Sequence, residues 1–264
     1  MMDSIESAAR QIRKDVLRMH QTGSNAGGAM SSADILAVLY FDTMNLESPD
    51  DPKRDRFVMS KGHCVSSLYS VLAQKGFIER DRLAEYCVDG KLLMGHPTRG
   101  GVPGIEASSG SLGHGLPMAV GMAWAAQKDK LGWRTFVLMG DGECQEGSVW
   151  EGAAVAARLA LDNLIVIVDA NNLQGYGRCE DILPINTLAA KFRSFGWSTM
   201  EVDGHDCAQI SGALKAVPFE VSKPSAIIAK TVKGKGVREM EDSLGWHYFS
   251  VPKEKLQDFC DELE

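Results

Sequence analysis

Two unbroken apolar runs, TFVLM at 135–139 and LIVIV at 164–168, constrain this chain more than any other feature. Neither alternates apolar with polar residues, so both read as strands covered on two faces. The alanine-rich stretch between them, 148–161, reads as a helix. Strand, helix, strand is the unit from which parallel sheets are built. Further strands are expected over 197–202 and 225–230, with a helix over 207–217 between them. Near the start, Ile5, Ala8, Ile12, Val16 and Met19 recur at helical spacing with charges between them, the mark of an amphipathic helix. A Gly/Ser-rich segment at 22–32 then leads into a more buried helix at 33–41, and a short helix is expected over 253–264. Residues 88–112 are glycine-rich and loop-like, and a loop that long inside a domain is usually functional. The expected fold class is α/β, a doubly wound, mostly parallel sheet flanked by helices, as one domain over 1–264.

Composition narrows the function. The net charge of −7 argues against nucleic-acid binding through the phosphate backbone. No apolar stretch approaches the 18 residues of a membrane helix, and the charged first twenty residues leave no room for a secretory signal. The six cysteines stand apart, without metal or redox spacing. Isolated cysteines of this kind point to a reducing, cytoplasmic setting.

The chemistry begins where the first apolar run ends, at Gly140, Asp141 and Gly142. Ligands of open α/β sheets sit beyond the carboxyl ends of the strands, glycines let the backbone approach them, and helix-terminal amides favour an anion. A carboxylate in that turn would repel a bare phosphate unless a cation lay between them. Magnesium fits, because it bridges one or two carboxylates to phosphate oxygens; calcium or manganese would serve in its place. About thirty residues further on, the second run ends in Asp169, Ala170, Asn171, Asn172 and Leu173. Adjacent parallel strands would bring Asp141 and Asn171 to one sheet edge, with the Leu173 carbonyl as a third ligand. Alone, the first motif is only a tight turn and the second a common loop. The pair resembles the thiamine diphosphate fingerprint, GDG followed about thirty residues later by NN.

Further motifs narrow the resemblance to transketolases. These are SKGH at 60–63, GHP at 95–97, PGIEASSGSLGHG at 103–115, GDGECQEGSVWE at 140–151, TVKGKG at 231–236 and the Trp246–His247 pair. They occur in family order over essentially the whole chain. The resemblance implies catalytic roles for His63, His96 and His247. His63 and His247 would approach the cofactor diphosphate, and His96 a substrate hydroxyl. Gly110 and Leu112 would meet the aminopyrimidine through their backbones, with Ser111 between them also assigned to the cofactor. Gly142 and Asn171 would touch the diphosphate, while Asp141, Asn171 and Leu173 would hold the metal. Glu146 would join a carboxylate network at the contact between subunits. His20 and His205 match nothing and are read as surface or capping residues. Trp150 and Trp246 read as packing groups, Cys144 as a small filler, and no basic residue is assigned to catalysis.

Two departures matter. Single-chain transketolases are more than twice this length, and the part that would carry the pyrimidine-binding domain and its cofactor-activating glutamate has no counterpart here. The resemblance therefore implies a split enzyme, with a partner subunit supplying that domain and an α2β2 assembly. It would transfer a two-carbon ketol unit from a phosphorylated or otherwise anionic ketose to an aldose. Secondly, where the family reads SGHPGG, residues 23–28 read GSNAGG. Asn25 replaces the histidine and cannot exchange a proton at neutral pH, so the donor is expected to differ from the ordinary pentose phosphates. Asn25, His96 and His247 are the expected substrate contacts. Other readings are an acyloin-forming thiamine enzyme similar to 1-deoxyxylulose 5-phosphate synthase, and a non-catalytic cofactor-binding regulatory subunit.

Overall fold

Both apolar runs become central strands of one parallel sheet. The structure, a computed structural model, describes residues 2–184 and 187–264. The strands are β1 (Arg56–Met59), β2 (Thr135–Gly140), β3 (Leu164–Ala170), β4 (Leu173–Gln174), β5 (Gly177–Arg178), β6 (Ser198–Asp203) and β7 (Ser225–Lys230). Five of them form the sheet in the order β1-β2-β3-β7-β6, and β4 and β5 form a small antiparallel hairpin. All four pairings in the main sheet are parallel.

Helices cover both faces, as the unbroken apolar runs require. On one side lie α1 (Met2–Met19), α2 (Ala26–Ser31), α3 (Ala33–Val38), α4 (Val65–Gln74) and α9 (Cys207–Lys215). On the other lie α5 (Gly115–Asp129), α6 (Gly147–Arg158) and α8 (Leu188–Ser194). The short helices α7 (Cys179–Ile182) and α10 (Leu256–Asp261) complete the set. Successive residues of β2 divide between the cores: Phe136 and Leu138 enter the first, Val137 and Met139 the second. Each such side chain, fully buried, contributes about 1.5–3 kcal/mol. No helix among the described residues is long and apolar enough to cross a membrane.

Strand order places the site. The chain leaves β3 for the far edge strand β6, then returns to β7 beside β3. That reversal opens a crevice at the carboxyl ends of β3 and β7, where ligands of such sheets bind.

The structure departs from the sequence-based expectation in several places. The Gly/Ser-rich segment is already helical from Ala26. Helix propensity disfavours glycine there, but packing overrides it: a Cβ on Gly28 would stand 2.9 Å from Cys64 Sγ. The following helix ends at Val38 and continues as a π turn over Leu39–Thr43. Strand β1 is an addition, with little sequence signal because only four residues carry it. Helix α5 is a second addition, because Gly115, Pro117 and Gly121 mask its periodicity, although a proline in the first turn is tolerated; α4, α7, α8 and the β4–β5 hairpin are further additions.

Candidate active site

Four strand ends feed one cavity of about 270 Å3. The end of β1 contributes Lys61 and His63, β2 contributes Asp141 and Gly142, β3 contributes Asn171 and Leu173, and the loop after β7 contributes Lys233. Asn25, Leu112 and His247 close its sides. The register explains the meeting of Asp141 and Asn171: Gly140 stands opposite Asp169 in the β2–β3 pair. A larger cleft of about 820 Å3 lies near Arg18 and Arg80 and contains none of these residues. Both of its arginines pair with Asp15.

The three residues expected to hold a metal line the same cavity. Asp141 accepts the backbone N–H of Gly142 at 2.8 Å and that of Asn172. Asn171 Oδ1 accepts the Leu173 N–H at 3.0 Å, and its Nδ2 donates to Ser31 Oγ at 3.3 Å. Asp141 is buried and makes no ion pair among the described residues. Burial, then the nearby Asp169 carboxylate, lift its carboxyl above the ordinary range. A buried carboxylate without a cation beside it is costly, and a divalent ion there would relieve that cost. No cluster of three or more His, Cys, Asp or Glu side chains able to hold a metal occurs among the described residues. One carboxylate, one amide and one carbonyl suit a hard cation that takes its remaining ligands from phosphate and water.

Two buried carboxylates to which the motifs assign no role organise this edge. Asp169 is fully buried and accepts from Lys61 Nζ, from Ser31 Oγ at 2.6 Å and from Thr231 Oγ1. Burial alone would raise the Asp169 carboxyl, but the Lys61 ammonium and these donors hold it below the usual range. Lys61 also donates to the Gly28 carbonyl at 3.0 Å. Glu143 accepts from Ser60 Oγ, from the Gly113 N–H at 2.9 Å and from the Gly140 N–H at 3.2 Å. It thereby ties three loops together. Glu146, the expected network residue, is exposed and lies outside the cavity.

The histidines divide between two chambers. His63 and His247 line the first, while His63 and His96 line an adjoining cavity of about 340 Å3. Asn25 stands in the wall of both. The His63 and His96 rings meet edge to face at 4.5 Å. Burial, then His96, lower the His63 pKa. Gly110 makes room for this contact, since its φ is +135° and a Cβ would stand 2.5 Å from His96 Cδ2. Gly110 thus backs His96 and Leu112 lines the cavity, whereas Ser111 is exposed and lines neither chamber.

Asn25 and Ala26 are physically linked. Asn25 is left-handed, φ 71° and ψ 19°, a conformation asparagine tolerates. A proline at position 26 would push its Cδ against the Asn25 backbone and drive that residue into an extended conformation. Asn25 N–H would then leave the His247 carbonyl, now 3.1 Å away. Ala26→Pro is expected to cost about 1–3 kcal/mol, read by urea unfolding. An unchanged midpoint would show that residue 25 has no need of this conformation.

The reading of His20 is revised, while those of His205 and of the basic residues are filled in and not overturned. His20 is fully buried, not on the surface, and its Nε2 lies 2.8 Å from Ser66 Oγ. It continues the buried stripe of Ile12 and Val16 one turn further, a signal present in the periodicity. Burial holds its pKa down at about 4. His205 is half-buried and bonded to Asp34 at 2.8 Å and to the Val232 N–H at 2.8 Å. Among basic residues, Lys61 and Lys233 are buried in the cavity wall. Both lie inside the motifs SKGH and TVKGKG, but no local pattern marks either as buried.

Comparison with known proteins identifies the family. The family model described as "Transketolase, thiamine diphosphate binding domain" matches residues 2–259. The chain is 40% identical to one of the subunits of the apulose-4-phosphate transketolase of Phocaeicola vulgatus, covering 99% of this chain and 94% of that one. It is 37% identical to the 6-deoxy-6-sulfo-D-fructose transketolase subunit SqwG of a Clostridium species, covering 98% and 96%. The transketolase structure from Leishmania mexicana superposes with a TM-score of 0.89 at 30% identity, over 98% of this chain and 41% of that one. The chain therefore belongs to the transketolase family, as its thiamine diphosphate-binding domain.

Proposed function

We propose that this chain is the diphosphate-binding subunit of a two-subunit transketolase, transferring a two-carbon ketol unit from an anionic ketose to an aldose. The observation that carries the reading is the convergence of Asp141, Asn171, His63 and His247 on one cavity, in a chain matched nearly end to end by subunits of that kind. Those two relatives are named for a sugar phosphate and a sulfo-sugar, which supports an anionic donor.

Asp141, Asn171 and the Leu173 carbonyl would hold a divalent ion, Mg2+ or Ca2+ or Mn2+ in its place, against the diphosphate. When bound, thiamine diphosphate supplies the nucleophilic carbon and the electron sink for the transfer. The chain's own work is orientation and charge stabilisation. His63 and His247 face the cavity as hydrogen-bonding groups, His96 and Asn25 line the adjoining chamber on the expected substrate side, and Leu112 packs against the cofactor's expected position. Each of these roles is part of the proposal.

The cavity mouth supports the need for a partner. Tyr176, 88% exposed, and Tyr248, 58% exposed, both line it. Exposed aromatic rims of this kind mark interaction sites. The partner would be the subunit bearing the pyrimidine-binding domain and the activating glutamate, in an α2β2 assembly, with Glu146 and the rim at the contact. Six free cysteines suit a cytoplasmic location. Ketol transfer is expected only when both subunits are mixed, with light scattering reporting their stoichiometry. Full turnover by this chain alone would overturn the reading.

A further inference from the structure

The cleft of about 820 Å3 is lined by Arg18, Arg80 and Lys253 and shares no residue with the cavity of Asp141 and Asn171. Its charges are arranged around one buried carboxylate, Asp15. This side chain accepts from Gln11 Nε2 at 2.8 Å, from Ser70 Oγ at 2.7 Å, from Arg80 at 2.6 Å and from Arg18 at 3.4 Å. Gln11 and Ser70 hold Asp15 in place independently of the arginines. Both guanidiniums meet the same oxygen, Oδ1, so one negative charge keeps two positive charges together.

That pairing leaves donors over. A guanidinium has several N–H groups, and each arginine uses a single nitrogen on Asp15. Neither side chain makes another hydrogen bond among the described residues, and they are 53% and 47% exposed. Lys253 is exposed and forms no ion pair among the described residues. The only other carboxylate on the wall is Asp81. The lining therefore carries an excess of positive charge, in a chain whose net charge is −7.

The rest of the wall is largely apolar. Met19, Leu83 and Tyr86 reach it from the core, and Leu256 packs beside them. Small-ligand sites combine apolar walls with a few placed polar groups, in volumes of about 300–1,000 Å3. Guanidiniums match phosphate oxygens in geometry and charge. Inorganic phosphate alone would leave the apolar wall uncovered, so the wall calls for a ligand with a body. Tyr86 and Thr22 also line the chamber of His63 and His96. A Cβ on Gly23, two residues before Asn25, would stand 3.1 Å from Tyr86 Cε1. Tyr86 thus separates the cleft from the expected substrate side.

We infer that this cleft is a second ligand site, for a small phosphate monoester with a flat or apolar body, held at its phosphate by Arg18, Arg80 and Lys253. The inference does not rest on the ketol-transfer reading, in which none of these residues takes part.

Adenosine 5′-monophosphate has both features and serves as the probe. It is titrated into the full 15N-labelled chain without cofactor or Mg2+. Backbone amide shifts are expected to saturate, with the changes at residues 18–22, 80–88 and 253–256. Adenosine and inorganic phosphate should each bind at least about tenfold more weakly, because each supplies only part of the contacts. Arg18→Gln and Arg80→Gln should each weaken the nucleotide by about tenfold or more, with circular dichroism checking the fold. No saturation by about 10 mM, or shifts centred on Gly142 and Asn171, would overturn the inference, and that result stands even if the variants fail to fold. Unchanged affinity in both folded arginine variants would overturn it too. Inorganic phosphate binding as tightly as the nucleotide would overturn the ligand class.

Discussion

Asp141→Asn is expected to weaken Mg2+-dependent thiamine diphosphate binding by more than about 100-fold, with the fold intact. Changes to residues that merely support a metal ligand cost about 10–100-fold, and Asp141 would be the only charged ligand in the set. An amide keeps the size of the side chain but removes the charge that offsets a divalent ion. Calorimetric titration of the chain with cofactor and Mg2+ measures the loss, and circular dichroism checks the fold. Glu146→Gln is the natural contrast, because Glu146 is exposed and lies outside the cavity. It should leave cofactor binding by the chain alone unchanged. Undiminished binding by Asp141→Asn would remove the metal from this site.

Lys61→Met is expected to destabilise the protein by about 3–5 kcal/mol, because it strands the Asp169 carboxylate in the interior. At about 2–4 °C per kcal/mol for a chain of this size, the melting temperature should fall by about 6–20 °C. Adding Asp169→Asn should recover part of the loss, since the stranded charge is then gone. A double variant no more stable than Lys61→Met would sink the ion-pair account. The pH dependence has a definite sign. The pair raises the Lys61 pKa above the lysine range against the opposing effect of burial. That share of stability is complete below about pH 10 and is lost as pH rises through the folded value. Asp169 is held low, so its share is present above about pH 4 and is lost as pH falls through its folded value. Stability from this pair should thus be level between the two limits.

The same pair shows where the sequence stops being readable. Asp169 sits in the run that ends β3, and its local context marks it only as a neighbour of Asn171. Its partner Lys61 is 108 residues away, and nothing local marks either as buried. Glu143 and Glu146 are alike in composition and three positions apart. Yet α6 begins after Glu146 and leaves it exposed, while the turn before it sends Glu143 inward to Ser60 and Gly113. His20 is legible in principle, because it extends the helical stripe of α1. His205 is not, because its partners Asp34 and Val232 come from α3 and from the loop after β7.

The sequence by itself determined the parallel sheet, the family and the pairing of Asp141 with Asn171. Those features rest on local patterns: unbroken apolar runs, glycine turns at strand ends and motifs in order. Only the tertiary structure decided that Lys61 and Lys233 turn into the cavity, that Asn25 adopts a left-handed backbone against His247, and that His63 and His96 meet at a wall between two chambers. Each depends on chain segments far apart in sequence, brought together because the strand order reverses at β3 and β7. Buried charges find their partners across that crevice, and no local pattern records which ones meet.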